Sequence, residues 1–311
     1  MRKPRLWKTD TVYELTLRTE HRMFLLKPDI DTKNILGSSL GRALKRHPVR
    51  LHAFDSNVNH FHCLFSLSSD QVPNASLFLR YLHGQTAKQL NLHYKQTGRV
   101  WSSRGRIIPI ADENALISQL LYAATNVVKD GMVAKASQWP GFSTYEQLAH
   151  GKRQTFTYLD RTAWWKAGGG WLNIPKTKFM REVSVEVSPL PGWEQLPSHE
   201  RQSRYRRMVR EKEAEIRANR EIEGRPVIGK AALMRIDPRS SPGTEKKATP
   251  MPKCHASSKE SRDSFIKEVL KPFWDKYREA SGRFRSGDYG VEFPLGSIPP
   301  PIPTVRVAPR L

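Results

Sequence analysis

Two histidines flank one apolar residue in Asn59-His60-Phe61-His62, and a tyrosine and an asparagine stand four positions apart at Tyr122 and Asn126. In a strand, successive side chains alternate between faces, so His60 and His62 point one way and Phe61 the other. Two imidazoles side by side can hold one divalent ion. On a helix, residues four apart share a face, which sets Asn126 beneath Tyr122. The amide oxygen of Asn126 can then complete the ion's ligand set while the Tyr122 phenol attacks. A free phenol, with a pKa of roughly 10, is a poor nucleophile. A nearby divalent cation favours the phenolate and polarises a phosphate for attack. A lone His-x-His more often reflects ordinary histidines, and a lone helical tyrosine is more often a packing aromatic. The case rests on the elements that bring the two pairs together, on the polar Asn59 beside them, and on the charge of the chain.

Those elements follow from periodicity. Residues 12–18 alternate apolar and polar as a half-buried strand. Residues 34–47 read as a helix with Ile35, Leu36, Leu40 and Leu44 on one side and Asn34 as cap. Strands are expected at 49–54 and 60–67; in the second, Phe61, Cys63, Phe65 and Leu67 form an apolar face, with His60, His62 and Ser66 opposite, interrupted by Leu64. Asn74 is placed to cap a helix running to about residue 96, 99–110 reads as a strand, and 114 to about 130 as a helix ended by Gly131. On that last helix Leu116, Leu120, Ala124 and Val127 can pack inward, while Ser118, Tyr122 and Asn126 form a separate polar stripe. The order is that of an α+β, ferredoxin-like split βαβ: an antiparallel sheet with helices on one face. The added helix can lie on the open face toward which the histidines point.

The chain has 311 residues, 38% of them hydrophobic, with 52 Lys and Arg against 30 Asp and Glu and a net charge of +22. That excess points to a polyanionic partner, because self-repulsion opposes folding and phosphates relieve it; the bland alternative is a ribosome-like or adhesive basic protein. Aromatic and arginine together suit unpaired bases and backbone. The candidate DNA contacts are therefore Arg99, Trp101, Arg104 and Arg106 on the presumed strand, with Asn59 and Lys88, while His83 and His93 read as surface residues. With only Cys63 and Cys254 there is no disulfide framework, which suits a reducing cytosol. Met1-Arg2-Lys3-Pro4-Arg5 is followed by no apolar signal region, and no run approaches the ~18 apolar residues of a membrane span. A cytoplasmic, nucleic-acid-associated protein with no membrane partner is expected.

Beyond about residue 150 the character changes. Trp164-Trp165, glycines 168–170 and Trp171 read as a flexible segment with aromatic anchors; the glycines are no phosphate loop, since no Gly-Lys-Ser/Thr follows. Val183, Val185 and Val187 alternate as a short strand, and residues 198–222 form a highly charged helix, read either as solvated or as a phosphate-binding stripe. Residues 236–262 read as a Pro-, Ser- and Lys-rich linker, 263–280 as a helix that Pro272 can kink, and 299–301 as extended. The expected division is a domain at 7–147, a basic extension at 148–235, the linker, and a C-terminal helix and tail at 263–311.

These motifs resemble those of the REP-associated tyrosine transposases, within the single-tyrosine HUH transposases. Asn59-His60-Phe61-His62 is similar to the family's Asn-His-hydrophobic-His. Tyr122 with Asn126-Val127-Val128-Lys129-Asp130-Gly131-Met132-Val133 is similar to Tyr-x-x-x-Asn-Pro-Val-Lys/Arg-Ala-Gly-Leu/Met-Val. Phe142-Ser143-Thr144-Tyr145 is similar to the Trp-Ser-Ser-Tyr that often closes the domain. The resemblance covers about residues 7–147. The chain departs at Asn57-Val58, where the family usually has Met-Pro, and at Val127 and Asp130, where it has proline and alanine; none of these removes a catalytic group. The resemblance implies cleavage of single-stranded DNA beside a hairpin. Tyr122 would become 5′-phosphotyrosine-linked, leaving a free 3′-OH that can reverse the reaction. It also implies His60, His62 and Asn126 as ligands of Mg²⁺ or Mn²⁺.

The leading expectation is thus a metal-dependent DNA strand transferase, monomeric or homodimeric. A second is a non-catalytic DNA-binding protein that keeps the fold. A two-histidine phosphoesterase of RNA ends would need two His-x-Ser/Thr motifs, and only His255-Ala256-Ser257, inside the expected linker, is present.

Overall fold

The structure, a computed structural model, describes residues 4–243, 250–297 and 299–300. The end of the proline-rich stretch, from Pro301, lies outside the described residues. Four strands form the central sheet: β1 (Val12–Arg18), β2 (Arg50–Ser56), β3 (His60–Ser66) and β4 (Arg106–Pro109), in the spatial order β2-β3-β1-β4 with every pairing antiparallel. Helix α1 (Ile30–Arg46) connects β1 to β2, and α2 (Asn74–His93) connects β3 to β4. This is the expected ferredoxin-like split βαβ.

The two-residue alternation of the strands divides the molecule. Tyr13, Leu15 and Leu17 with Phe61, Cys63 and Phe65 face α1 and α2, forming one apolar core with Leu36, Leu40, Phe78 and Leu82. On the opposite face Val12, Ala53 and Leu64 meet α3 (Glu113–Lys129), whose Leu116, Leu120, Ala124 and Val127 pack inward as their spacing requires. Leu64, which interrupts the polar row of β3, is thus the seat of the third helix.

The core runs on past residue 147. After α4 (Tyr145–His150), strand β5 (Gln154–Leu159), the short α5 (Arg161–Lys166) and β6 (Met180–Val185) form a hairpin against α1. A Cβ at Gly37 would lie 2.4 Å from Phe156, and one at Gly41 2.8 Å from Val183, so both glycines are close-approach positions. Helix α6 (Ser198–Ile222) packs on α3 and inserts Tyr205, Val209 and Ile216 into the second core. It is followed by α7 (Lys230–Leu233), α8 (Lys259–Phe265) and α9 (Lys271–Arg285).

Several expectations are corrected. Helix α1 starts earlier and is capped by Asp29, which accepts from Thr32 N at 2.8 Å; Asn34 instead exchanges two hydrogen bonds with the backbone of Thr157 on β5. Asn74 is the first residue of α2 and not its cap. Residues 99–105 do not join the strand: Trp101 makes an isolated bridge to Thr19, and the ladder begins only at Arg106. The highly charged α6 is solvated over most of its surface but buries one stripe, Tyr205, Val209, Glu213, Ile216 and Arg220. Its Glu213 is buried and accepts from Ala136 N at 2.6 Å, and its buried Arg220 donates to the Val128 carbonyl at the end of α3. Between α8 and α9, residues Ile266–Leu270 form a wider π-turn. Pro272 supplies no N–H for the Glu268 carbonyl, and its ring crowds that carbonyl. No helix among the described residues is long and apolar enough to cross a membrane.

Candidate active site

A cleft of about 600 Å³ opens between the α3 face of the sheet and Tyr122. Pairing register builds its floor. His62 stands opposite Thr16 of β1 and Asp55 of β2, His60 opposite Arg18, and Thr16 in turn opposite Arg106 of β4. The two imidazoles, 5.1 Å apart between centroids and nearly perpendicular, are both buried. Each is anchored through Nδ1: His60 to Asn59 Oδ1 at 2.8 Å, and His62 to Glu14 Oε1 at 2.7 Å. An acceptor on Nδ1 fixes the proton there and leaves Nε2 with its lone pair. His62 Nε2 is buried and has no hydrogen-bond partner among the described residues.

Helix α3 brings the other half. Asp112 caps it by accepting from Ala115 N at 2.8 Å, and Gly131, at a φ of 75°, ends it. Tyr122 meets His62 edge to face at 5.3 Å, with the Lys129 ammonium 5.0 Å from the tyrosine ring centroid. Burial raises the Tyr122 phenol above its ordinary range, the carboxylates of Asp130 and Glu14 raise it further, and Arg18 and a hydrogen bond with Asn126 pull it back. Asn126 is buried one turn on, and its Oδ1 accepts from Asn57 Nδ2 at 2.7 Å. An amide oxygen has two lone pairs, so one remains.

The donor set fits a divalent cation. Two imidazoles with their Nδ1 atoms held from behind and one Nε2 buried without a partner match how metal-binding histidines are supported; Asn126 is not among the residues that line the cleft. Among the described residues, no group of three His, Cys, Asp or Glu side chains is arranged to hold an ion.

Glu14 is the residue that sequence reasoning missed. It is buried, and its second oxygen accepts from His255 Nε2 at 2.5 Å. Burial would raise its carboxyl, but the hydrogen bonds from His255 and His62 overcome this and hold it at about 2. Its place on the polar side of an alternating strand was visible; the register that sets it beside His62 was not. Asp55 is also buried, accepting from Ser143 Oγ at 2.5 Å, and burial raises its carboxyl to about 6 against that hydrogen bond. Ser143 belongs to the Phe-Ser-Thr-Tyr motif, which laces β2. Phe142 O accepts from Ser56 N, and Thr144 bonds both the N–H and the carbonyl of Phe54.

The expected DNA contacts are scattered. Arg106 lines the cleft, with Arg18, Ser102 and Ser118 as further lining residues. Arg99 and Arg104 are exposed on the loop before β4. Trp101 turns to the other core: its indole donates to the His83 carbonyl at 3.0 Å and its ring meets Phe61 at 5.7 Å. Asn59 is buried, its amide nitrogen donating to the Arg22 carbonyl at 3.1 Å while its oxygen holds His60. Lys88 is exposed on α2, on the far side of the sheet. His83, expected at the surface, has a buried Nε2 without a hydrogen-bond partner among the described residues.

No protein-family model matches the chain, and no curated protein does. Among solved structures, the chain is similar to a REP-associated tyrosine transposase bound to a REP hairpin, with 22% identity and a TM-score of 0.41 over 49% of this chain and 87% of that one. It is also similar to a "putative transposase" from Deinococcus radiodurans R1, with 22% identity and a TM-score of 0.29 over 39% of this chain and 95% of that one.

Proposed function

We propose that this protein is a metal-dependent tyrosine transposase that cleaves and rejoins hairpin-forming single-stranded DNA. The observation that carries the reading is the partnerless, buried His62 Nε2 in a cleft it shares with Tyr122. His60, His62 and Asn126 would hold Mg²⁺ or Mn²⁺. When bound, such an ion polarises the scissile phosphate and favours the phenolate over the phenol.

The chain's own residues do the rest. Helix α3, buttressed by α6, fixes the direction from which Tyr122 approaches. Arg18 and Arg106 at the cleft favour a phosphate and, with Lys129 over the ring, offset the burial of the phenolate. The Tyr122 oxygen attacks phosphorus and the bond from phosphorus to the 3′-oxygen breaks. The proton given up by the phenol is balanced by the one taken up at the 3′-oxygen, which leaves a 5′-phosphotyrosine and a free 3′-OH. The reverse reaction rejoins strands without an added energy source. The net charge of +22 supports a nucleic-acid partner.

One observation favours the second reading, a DNA-binding protein without chemistry: Asn126 Oδ1 already accepts from Asn57. Cleavage of a hairpin-bearing oligonucleotide in Mn²⁺ or Mg²⁺ separates the two. Loss of cleavage with chelator and in His62→Ala, with binding retained, supports the enzyme. Binding that persists in wild type across a broad hairpin library with no cleavage supports the alternative.

A further inference from the structure

His255 lies in the segment whose composition reads as a linker, yet it is built into the cleft. Its backbone pairs in parallel with Ile110 at the free edge of β4: His255 N donates to Pro109 O at 2.9 Å, and Ala111 N donates to His255 O at 2.8 Å. Two residues on, Ser257 N donates to Asp112 Oδ2 at 2.9 Å, and Ser261 Oγ donates to the same oxygen at 2.6 Å. Asp112 is the cap of α3. The segment is therefore fastened both to the sheet that carries the histidines and to the helix that carries Tyr122. Cys254 beside it is buried.

From this edge the His255 ring reaches Glu14, whose two oxygens are divided between the histidines: Oε1 with His62 Nδ1 and Oε2 with His255 Nε2. The Glu14 side chain is 4% exposed, so water cannot readily replace a lost donor. A buried carboxylate with one oxygen unsatisfied rotates toward whatever donor remains, which would release the His62 ring from the orientation that presents Nε2.

We infer that His255 is a positioning residue of the ion site. By holding the second oxygen of Glu14 it fixes the first on His62, which makes the segment around His255 part of the proposed ion site rather than a tether. The inference rests on the proposed role of His60 and His62 as ligands. A partner behind a ligating histidine commonly contributes 10–100-fold in metal affinity. His255 stands one contact further back, so about tenfold is expected.

The test titrates Mn²⁺ alone into the full-length protein by isothermal calorimetry, with no DNA, and follows melting temperature in parallel. Wild type should bind one equivalent and His62→Ala should not. His255→Ala should bind about tenfold more weakly. His255→Gln, whose amide can still donate to Glu14, should recover most of the loss, a rescue that a general loss of packing would not show. His62→Ala binding as well as wild type would overturn the ligand reading itself, and this inference with it. Loss in His62→Ala with wild-type affinity in both His255 variants would overturn the inference alone. So would tighter binding in His255→Ala, which would mark His255 as a cover over the cleft. Equal losses in His255→Ala and His255→Gln would overturn it too, since the donor would then not matter.

Discussion

The amide nitrogen of Asn57 lies 2.8 Å from Asp130 Oδ2 and 2.7 Å from Asn126 Oδ1, so one side chain ties the turn before the two histidines to the end of the tyrosine helix. Asn57 and Asp130 are two of the positions at which the chain departs from the pattern it resembles. They depart together: the donor at one serves the acceptor at the other. Asn57 Oδ1 also accepts from Val58 N at 2.6 Å, which closes the turn.

That pairing predicts coupling. Asn57→Met and Asp130→Ala should each destabilise the protein by about 1–3 kcal/mol, the cost of a broken charge-assisted hydrogen bond that is part-buried. The double variant should fall short of the sum by about 1 kcal/mol or more, measured by urea unfolding. Additive losses would mean that the two substitutions act independently.

Gly37→Ala should destabilise. Alanine raises helix propensity by about 1 kcal/mol, but its methyl would lie 2.4 Å from the Phe156 ring. Overpacking of that kind costs about 1–3 kcal/mol, so the clash wins. Thermal melting should show the loss, and Phe156→Leu in the Gly37→Ala background should return part of it. A more stable Gly37→Ala protein would mean that the β5–β6 hairpin is not seated on α1.

The sequence made the site legible where one element sufficed. Alternation on β3 placed His60 and His62 together, and the spacing of four on α3 set Asn126 one turn below Tyr122. Glu14 and His255 escaped because their meaning lies in pairing across elements, which periodicity does not encode. Helix α6 was located from end to end, yet its burial was hidden. Glu213 and Arg220 look like surface charges until the Ala136 N–H and the Val128 carbonyl that satisfy them are known. In the run 99–110 the stretch Ser102-Ser103-Arg104-Gly105 marks the break before β4, and Trp101 is held off the ladder by its bond to the His83 carbonyl.

Acid should expose the buried histidines. Burial lowers His83 to about 3, with Arg5 adding to the shift, and lowers His52 to about 4 despite its hydrogen bonds to the Ser188 and Pro189 backbone. Below about 6.5 the unfolded chain takes up protons that the folded chain refuses, so it binds more protons and stability falls as the pH falls through that window. Asp55, raised to about 6, works in the opposite direction between about 3.8 and 6, so a comparison of variants is needed. His83→Leu should lose less stability than wild type between pH 6.5 and 4, by on the order of 3 kcal/mol. Parallel stability curves for the two proteins would show that His83 is protonated in the fold.

DNA affinity should fall with salt, and Arg18→Ala and Arg106→Ala should each shallow the plot of log affinity against log salt by about 1. Lys88→Ala, on the opposite layer, should leave the slope unchanged. A change with Lys88 but not with the cleft arginines would move the DNA to the α1–α2 side.

The most direct measurement is covalent capture. A hairpin-bearing single strand labelled at its 3′ end is incubated with the protein and Mn²⁺, denatured and run on a gel, with the linked residue identified by mass spectrometry. Label that migrates with the protein through Tyr122, vanishes with chelator and is absent in a folded Tyr122→Phe variant is the expected result. Cleavage that persists in Tyr122→Phe, or a strand linked through another residue, would contradict the assignment of Tyr122 as the nucleophile.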